Sequence, residues 1–291
     1  MQPPPILVLL GGFLGAGKTT LILTAARLLQ SRGLKAAAIL NDQGTDLVDT
    51  EFVRNSGVEA DQVGGGCFCC RFSDLIDAAD RLREHSPDVI FAEAVGSCTD
   101  ISATTLQPLK LNYRHQFRLA PYSVLVDPDR ARELTAGVDS DLSFLFQKQI
   151  DEADLVCFTK SDIHTDFPEL DAAPVRYFSP LTGEGVAAWL DEVLGLQEVG
   201  TKILDIDYAR YARAEASLAW LNCSVRLTLV DPLSPSSVVG PLLDDLDTAL
   251  TEQGLQIAHL KVIDDSPAGY IKASIVRNGQ EPAVQGMRAA S

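Results

Sequence analysis

The eight residues Gly12-Phe-Leu-Gly-Ala-Gly17-Lys18-Thr19 restrict the possible folds of this 291-residue chain more than any other stretch. They fit G-x-x-x-x-G-K-[ST], and they sit between an apolar run at 6–10 and a stretch of helical spacing at 21–31 that Gly33 should stop. Strand, glycine loop and helix together form the context of a phosphate-cradling loop. The glycines let backbone N–H groups turn inward, and the helix dipole favours an anion at its N-terminus. Gly12, Gly15, Ala16, Gly17 and Thr20 are then candidate phosphate contacts. Lys18 is expected to reach the β- and γ-phosphates, and Thr19 to bind Mg²⁺ through its hydroxyl. The plainer alternative, a glycine turn with a surface lysine, fits the flanking strand and helix poorly.

The same alternation continues along the chain. Apolar runs at 35–41, 88–93, 122–127, 154–159 and 175–179 read as strands. Helical stretches lie at 73–83 (with Ser73 as its cap), 129–134, 144–152 and 186–194. Strands alternating with helices imply crossover connections, hence an α/β fold with a largely parallel sheet covered on both faces. Past residue 200 the pattern changes. A helical stretch at 207–220 precedes an alternating strand at 222–230, an amphipathic helix at 237–253, and strands at 256–263 and 270–276. This predicts a small C-terminal α+β unit, ferredoxin-like but short of one helix and strand, with a tail from Asn278. The expected organisation is a nucleotide domain at 1–200, a linker helix at 201–220 and the α+β domain at 221–291.

A formal net charge of −16 repels nucleic-acid backbones and anionic membranes over most of the surface, so neither is an expected partner. The run at 6–10 is too short to span a bilayer and lacks a basic leader, which makes the cytoplasm the expected location. Thiols there stay reduced, so the six cysteines read as metal-binding, catalytic or buried rather than bridged.

Other motifs surround the phosphate loop. Thr159-Lys160-Ser161-Asp162 resembles N-K-x-D, whose carboxylate accepts both N1–H and N2–H of guanine; adenine offers no matching pair of donors. Ser179, Pro180 and Leu181 open a loop, S-P-L-T-G-E-G, resembling one that contacts the guanine carbonyl. Glu93-Ala-Val-Gly96 ends a strand, where carboxylates associated with Mg²⁺ and glycines sensing the γ-phosphate are found. Asn41-Asp42-Gln43-Gly44 ends another, placing Asp42 to reach the metal or the attacking water. As plain readings, Asp42 and Glu93 are carboxylates at strand ends and T-K-x-D is a charged loop. Between these motifs stands Gly64-Gly-Gly-Cys67-Phe-Cys69-Cys70. Three thiolates suit Zn²⁺ or Co²⁺ and leave one tetrahedral position open for transfer. Buried packing or redox sensing is the alternative. Cys98 reads equally as a fourth ligand or a packed thiol, while Cys157 and Cys223 read as core.

In this order, the motifs resemble those of the CobW-like P-loop GTPases, relatives of the urease and hydrogenase nickel-insertion GTPases, whose hallmark G-C-x-C-C is matched by Gly66-Cys67-Phe68-Cys69-Cys70. The resemblance runs from about 6 to 194. It implies a GTPase that binds and hydrolyses GTP with Mg²⁺ and supplies Zn²⁺ or Co²⁺ to a client metalloprotein. In that reading Lys18, Asp42 and Glu93 serve catalysis, Thr19 and Glu93 hold Mg²⁺, and Gly96 senses phosphate. Thr159, Lys160, Asp162, Ser179, Pro180 and Leu181 hold the base, and Cys67, Cys69 and Cys70 hold the transferred metal. Related GTPases dimerise with nucleotide, a state no residue here establishes. The chain departs from the family in having N-D-Q-G for N-E-x-G, in an early end to the C-terminal domain, and in lacking a histidine-rich stretch: its four histidines (His85, His115, His164, His259) are scattered. Two other readings stay open: a switch that loads an organic cofactor such as cobalamin, and a small-molecule kinase.

Overall fold

The structure, a computed structural model, describes residues 3–44, 48–137, 139–171, 174–195, 199–228, 233–266 and 269–286. The chain divides into two compact units, Met1–Trp220 and Leu221–Ser291.

The first unit runs β1 (Ile6–Gly11), α1 (Lys18–Ser31), β2 (Ala36–Asn41), α2 (Val48–Asn55), β3 (Glu59–Val63), α3 (Phe72–Arg83) and β4 (Val89–Glu93). A π-helical turn, Ser102–Leu106, leads into α4 (Gln107–Asn112), followed by β5 (Arg118–Leu119), β6 (Ser123–Val126) and α5 (Pro128–Thr135). Then come α6 (Asp141–Glu152), β7 (Leu155–Phe158), β8 (Val175–Tyr177), α7 (Val186–Leu194) and α8 (Tyr208–Ala216). The strands line up as β3-β2-β4-β1-β6-β7-β8, with β5 also beside β1, and every described pairing in this sheet is parallel. β1 is central, and its apolar side chains are at most 8% exposed. Full burial of such side chains contributes roughly 1.5–3 kcal/mol each. Glu93 pairs with Leu10 on one side and with Leu40 on the other, so β1, β2 and β4 end flush. The loops after them therefore share the carboxyl edge of the sheet, where open α/β folds bind ligands.

The apolar runs of the first unit form strands within a residue or two of their expected bounds, and five elements appear that periodicity does not predict: α2, β3, the π-helical turn, α4 and β5. β3 is an edge strand of sequence EADQV in which only Ala60 and Val63 are buried, too polar to read as a strand. α2 buries only Thr50, Phe52 and Val53. Ser73 does not cap α3: the helix begins at Phe72, because the cysteine segment already turns, with Cys70 N and Arg71 N donating to Cys67 O at 3.0 and 2.9 Å. The expected linker helix, α8, packs in the first unit, with Ala214 fully buried in its main core.

The second unit is α9 (Pro235–Glu252) with β9 (Leu260–Ser266), β10 (Gly269–Ile275) and β11 (Ala283–Gly286), an antiparallel sheet ordered β11-β10-β9. Val239 and Leu243 of α9 pack on Ile271 and Ala273 of β10. Two expectations fail here. The described part of the strand expected at 222–230, residues 222–228, is exposed and carries no strand; alternation alone does not make one without a sheet to join. Residues 229–230 lie outside the described residues. The expected tail instead contains β11, because Asn278 turns the chain back: its Oδ1 accepts from Ile257 N at 2.8 Å and its Nδ2 donates to Leu255 O at 3.0 Å. Among the described residues no helix is long and apolar enough to cross a membrane.

Candidate functional site

The loop between β1 and α1 takes its shape from its glycines. Gly12 has φ +123°, and a Cβ there would lie 2.2 Å from Leu125 O, so only glycine lets the loop pass β6 this closely. Gly15 and Gly17 also have positive φ, and Ala16 N donates to Phe13 O at 3.2 Å. α1 starts with Lys18 and Thr19 buried and Thr20 half-buried. Lys18 Nζ donates to Gly12 O at 2.7 Å and more weakly to Phe13 O at 3.4 Å. The ammonium is thus held against the carbonyls of its own loop. Thr19 Oγ1 donates to Glu93 Oε2 at 2.9 Å. This pairs a hydroxyl from α1 with the carboxylate ending β4, two hard oxygen donors of the kind Mg²⁺ takes.

Gly96 follows Glu93 and meets the phosphate loop directly: a Cβ there would lie 2.9 Å from Leu14 N. The expected base-reading loops reach the same place. Thr159 Oγ1 donates to Ala16 O at 3.0 Å, and Thr24 of α1 donates to Pro180 O at 2.7 Å. Lys160, in the left-handed region at φ +59°, bonds Asp127 Oδ2 at 2.6 Å. Asp162 and Leu181 are exposed, while Ser179 is buried and its Oγ accepts from Thr182 N at 3.1 Å. Asp42 is engaged with its own loop, its Oδ1 accepting from Gln43 N at 2.7 Å.

The thiols form a cluster at this edge. Cys67 Sγ lies 3.5 Å from Cys70 Sγ, and Cys69 Sγ lies 3.9 Å from both Cys70 Sγ and Cys98 Sγ. The sulfurs of Cys67, Cys69 and Cys70 all lie within 4.8 Å of one another. Hydrogen bonds from the Cys69 and Cys98 thiols pull the Cys67 thiol far below its ordinary range. The bond to Cys67 pushes up Cys69, Cys70 and Cys98, and burial adds to each. Sulfurs gathered this closely are a donor set suited to a soft metal ion.

Asn41 anchors this loop, a role the sequence did not suggest. Its Nδ2 donates to Val63 O at 2.8 Å and Gly66 O at 2.7 Å, and its Oδ1 accepts from Phe68 N at 3.0 Å. α6 and α8 were also missed as supports. Gln149 Nε2 donates to Gly96 O and Cys98 O, both at 2.9 Å. Glu152 accepts from Thr99 Oγ1 at 3.0 Å and Ser102 N at 3.1 Å. From α8, Tyr208 donates to Asp100 at 2.6 Å, and Glu215 is half-buried with its carboxyl pushed up by burial. The only local signal for these side chains was their polarity inside otherwise amphipathic helices.

A parallel sheet with a glycine phosphate loop after its central strand, a Thr–Glu pair beside that loop and the Thr159 and Pro180 segments packed against it and α1 defines a P-loop nucleotide-binding protein. The chain belongs to the CobW/HypB/UreG family, whose nucleotide-binding domain model matches residues 6–174, more than half its length. It is 29% identical over 169 residues to the zinc chaperone YjiA of Escherichia coli K12, covering 55% of this chain and 50% of that one. It is likewise 29% identical over 178 residues to the zinc chaperone CobW of a Sinorhizobium species, covering 52% and 49%. The match thus spans about half the length of either relative. Among solved structures, HypB from Helicobacter pylori, crystallised in complex with nickel, has a TM-score of 0.50 and 19% identity, covering 69% of this chain and 92% of that one. That likeness is one of fold.

Proposed function

We propose that this protein binds and hydrolyses GTP and, coupled to that cycle, binds Zn²⁺ through Cys67, Cys69 and Cys70 and hands it to a client metalloprotein. The observation that carries this reading is the tie between the two sites. Asn41, at the end of a strand of the nucleotide edge, fastens the thiol loop to that edge with two hydrogen bonds, to Gly66 O and from Phe68 N, and makes a third to Val63 O at the end of β3. The thiols suit zinc, and equally cobalt, whereas the oxygen donors of Thr19 and Glu93 suit Mg²⁺. Mg²⁺, if held by Thr19 and Glu93, would supply positive charge to offset that of the phosphates. The chain's own groups do the rest. Lys18 exchanges its loop carbonyls for phosphate oxygens, and the loop from Gly12 to Thr20 orients the phosphates. Asp42 positions the attacking water. Asp162 reads guanine, with Thr159, Lys160, Ser179, Pro180 and Leu181 holding the loops around the base. Gly96, packed on Leu14, passes the state of the phosphate loop to the segment that follows.

Titrating Zn²⁺ into the full chain and into Cys69→Ser/Cys70→Ser, each with and without GTP and Mg²⁺, tests the proposal. The wild type is expected to bind zinc with an affinity that depends on nucleotide, and the variant to lose tight binding. Equal binding by both proteins would sink the delivery mechanism.

A further inference from the structure

We propose that Cys98 is a fourth thiolate ligand of the metal site, so that the chain can close a four-sulfur shell around its zinc. The inference rests on the metal-site reading above and extends it by one residue on a different strand end.

The geometry of the sulfurs carries it. A regular tetrahedron with sulfurs about 2.3 Å from a zinc ion has edges of about 3.8 Å. Three distances in the cluster approach that length: Cys67–Cys70 at 3.5 Å, Cys69–Cys70 at 3.9 Å and Cys69–Cys98 at 3.9 Å. Cys98 therefore stands from Cys69 at the spacing a shared metal needs, while its sulfur lies more than 4.8 Å from at least one of Cys67 and Cys70 and must be drawn in for the shell to close.

Its surroundings distinguish it from a packing cysteine. A free cysteine used for packing behaves as a small hydrophobe. Cys157 does so, fully buried within β7. Cys98 is just as buried, at 1% exposure, and like Cys67 it belongs to the main core, but its sulfur faces another thiol. The backbone that carries it is fixed from three directions. Gln149 holds the carbonyls of Gly96 and Cys98, Glu152 holds Thr99 and Ser102, and Tyr211 OH accepts from Thr99 N at 3.4 Å. Asp100 next to it has φ +66°, a conformation a non-glycine residue keeps only where its surroundings impose it; Tyr208 bonds its carboxylate. Fully buried polar side chains, Gln149 and Glu152, thus serve to place one thiol.

The ligand set would then be split. Cys67, Cys69 and Cys70 come from the turn entering α3, and Cys98 from the segment after β4 that carries Gly96. An open coordination position exists only when Cys98 withdraws.

Zinc-edge X-ray absorption on the reduced full chain, carrying Cys223→Ser to remove the exposed thiol and loaded with stoichiometric Zn²⁺, counts the sulfurs. Four sulfurs at about 2.3 Å are expected, falling to three plus one lighter atom in Cys98→Ser. Zinc affinity in that variant should fall by more than the ~10- to 100-fold that loss of an outer-shell partner costs. Three sulfurs in the parent chain, or a Cys98→Ser spectrum identical to it, would overturn the role of Cys98 and leave the three-cysteine site standing. A parent chain that retains no zinc would overturn both readings. If Cys98→Ser fails to fold, the sulfur count of the parent still decides.

Discussion

One residue in each half of the proposed site gives the sharpest test of it. Asp162 stands exposed on the loop after β7, with its carboxylate available to a base. If that carboxylate accepts from guanine N1–H and N2–H, Asp162→Asn sets amide donors against donors. A mismatch of that kind costs about 1–3 kcal/mol, or about 5- to 150-fold. Competition binding should then show GTP weakened by that factor and xanthosine triphosphate gaining, and unchanged selectivity would remove Asp162 from the base site. Asn41 is the counterpart on the metal side. Asn41→Ala leaves Val63 O, Gly66 O and Phe68 N without their partner side chain. Zinc affinity should drop about 10- to 100-fold, the usual penalty for losing the support of a ligand loop. Nucleotide affinity, measured on the same protein, should stay near that of the wild type.

Among the elements, α3, α6 and α8 shape the thiol site more than the strands do. The cysteine segment is already one turn of helix before α3, which is how Cys67 and Cys70 come to lie side by side. α6 supports the Cys98 segment with Gln149 and Glu152, and burial pushes the Glu152 carboxyl from an ordinary 4.5 up to about 8. The folded chain therefore holds that proton more tightly than the unfolded one. The contribution of the neutral carboxyl to stability is complete below about pH 4.5 and is lost as pH rises through about 8. Glu152→Gln stays neutral throughout. Between those limits its unfolding free energy should gain on the wild type by up to about 5 kcal/mol, as read by denaturant titration across pH. A difference that does not vary with pH would mean that Glu152 is ionised in the fold.

For the molecule as a whole, the coupling between sites is the property that matters, and thermodynamics makes it reciprocal. If GTP with Mg²⁺ changes zinc affinity by some factor, zinc must change GTP affinity by the same factor, with about 5- to 150-fold being common. Calorimetry of each ligand in the presence and absence of the other should return one number, and a factor of one would separate the two functions. Much of this molecule was legible in its sequence: the strand–loop–helix start, the alternation that makes a parallel sheet, the strand-end carboxylate, T-K-x-D and C-x-C-C are all contiguous or periodic. β3, α2 and β11 were not, because a short or half-polar element gains its stability from its neighbours rather than from its own pattern. The same holds within the site. Cys69 and Cys98 are 29 positions apart, and Tyr211 reaches Thr99 across 112. Local sequence determined which chemical groups each loop carries, since a turn or a helical repeat depends on residues only a few places away. Only the tertiary structure decided which loops meet, because the strand order β3-β2-β4-β1 and the docking of α6 and α8 come from burying apolar faces that lie far apart along the chain.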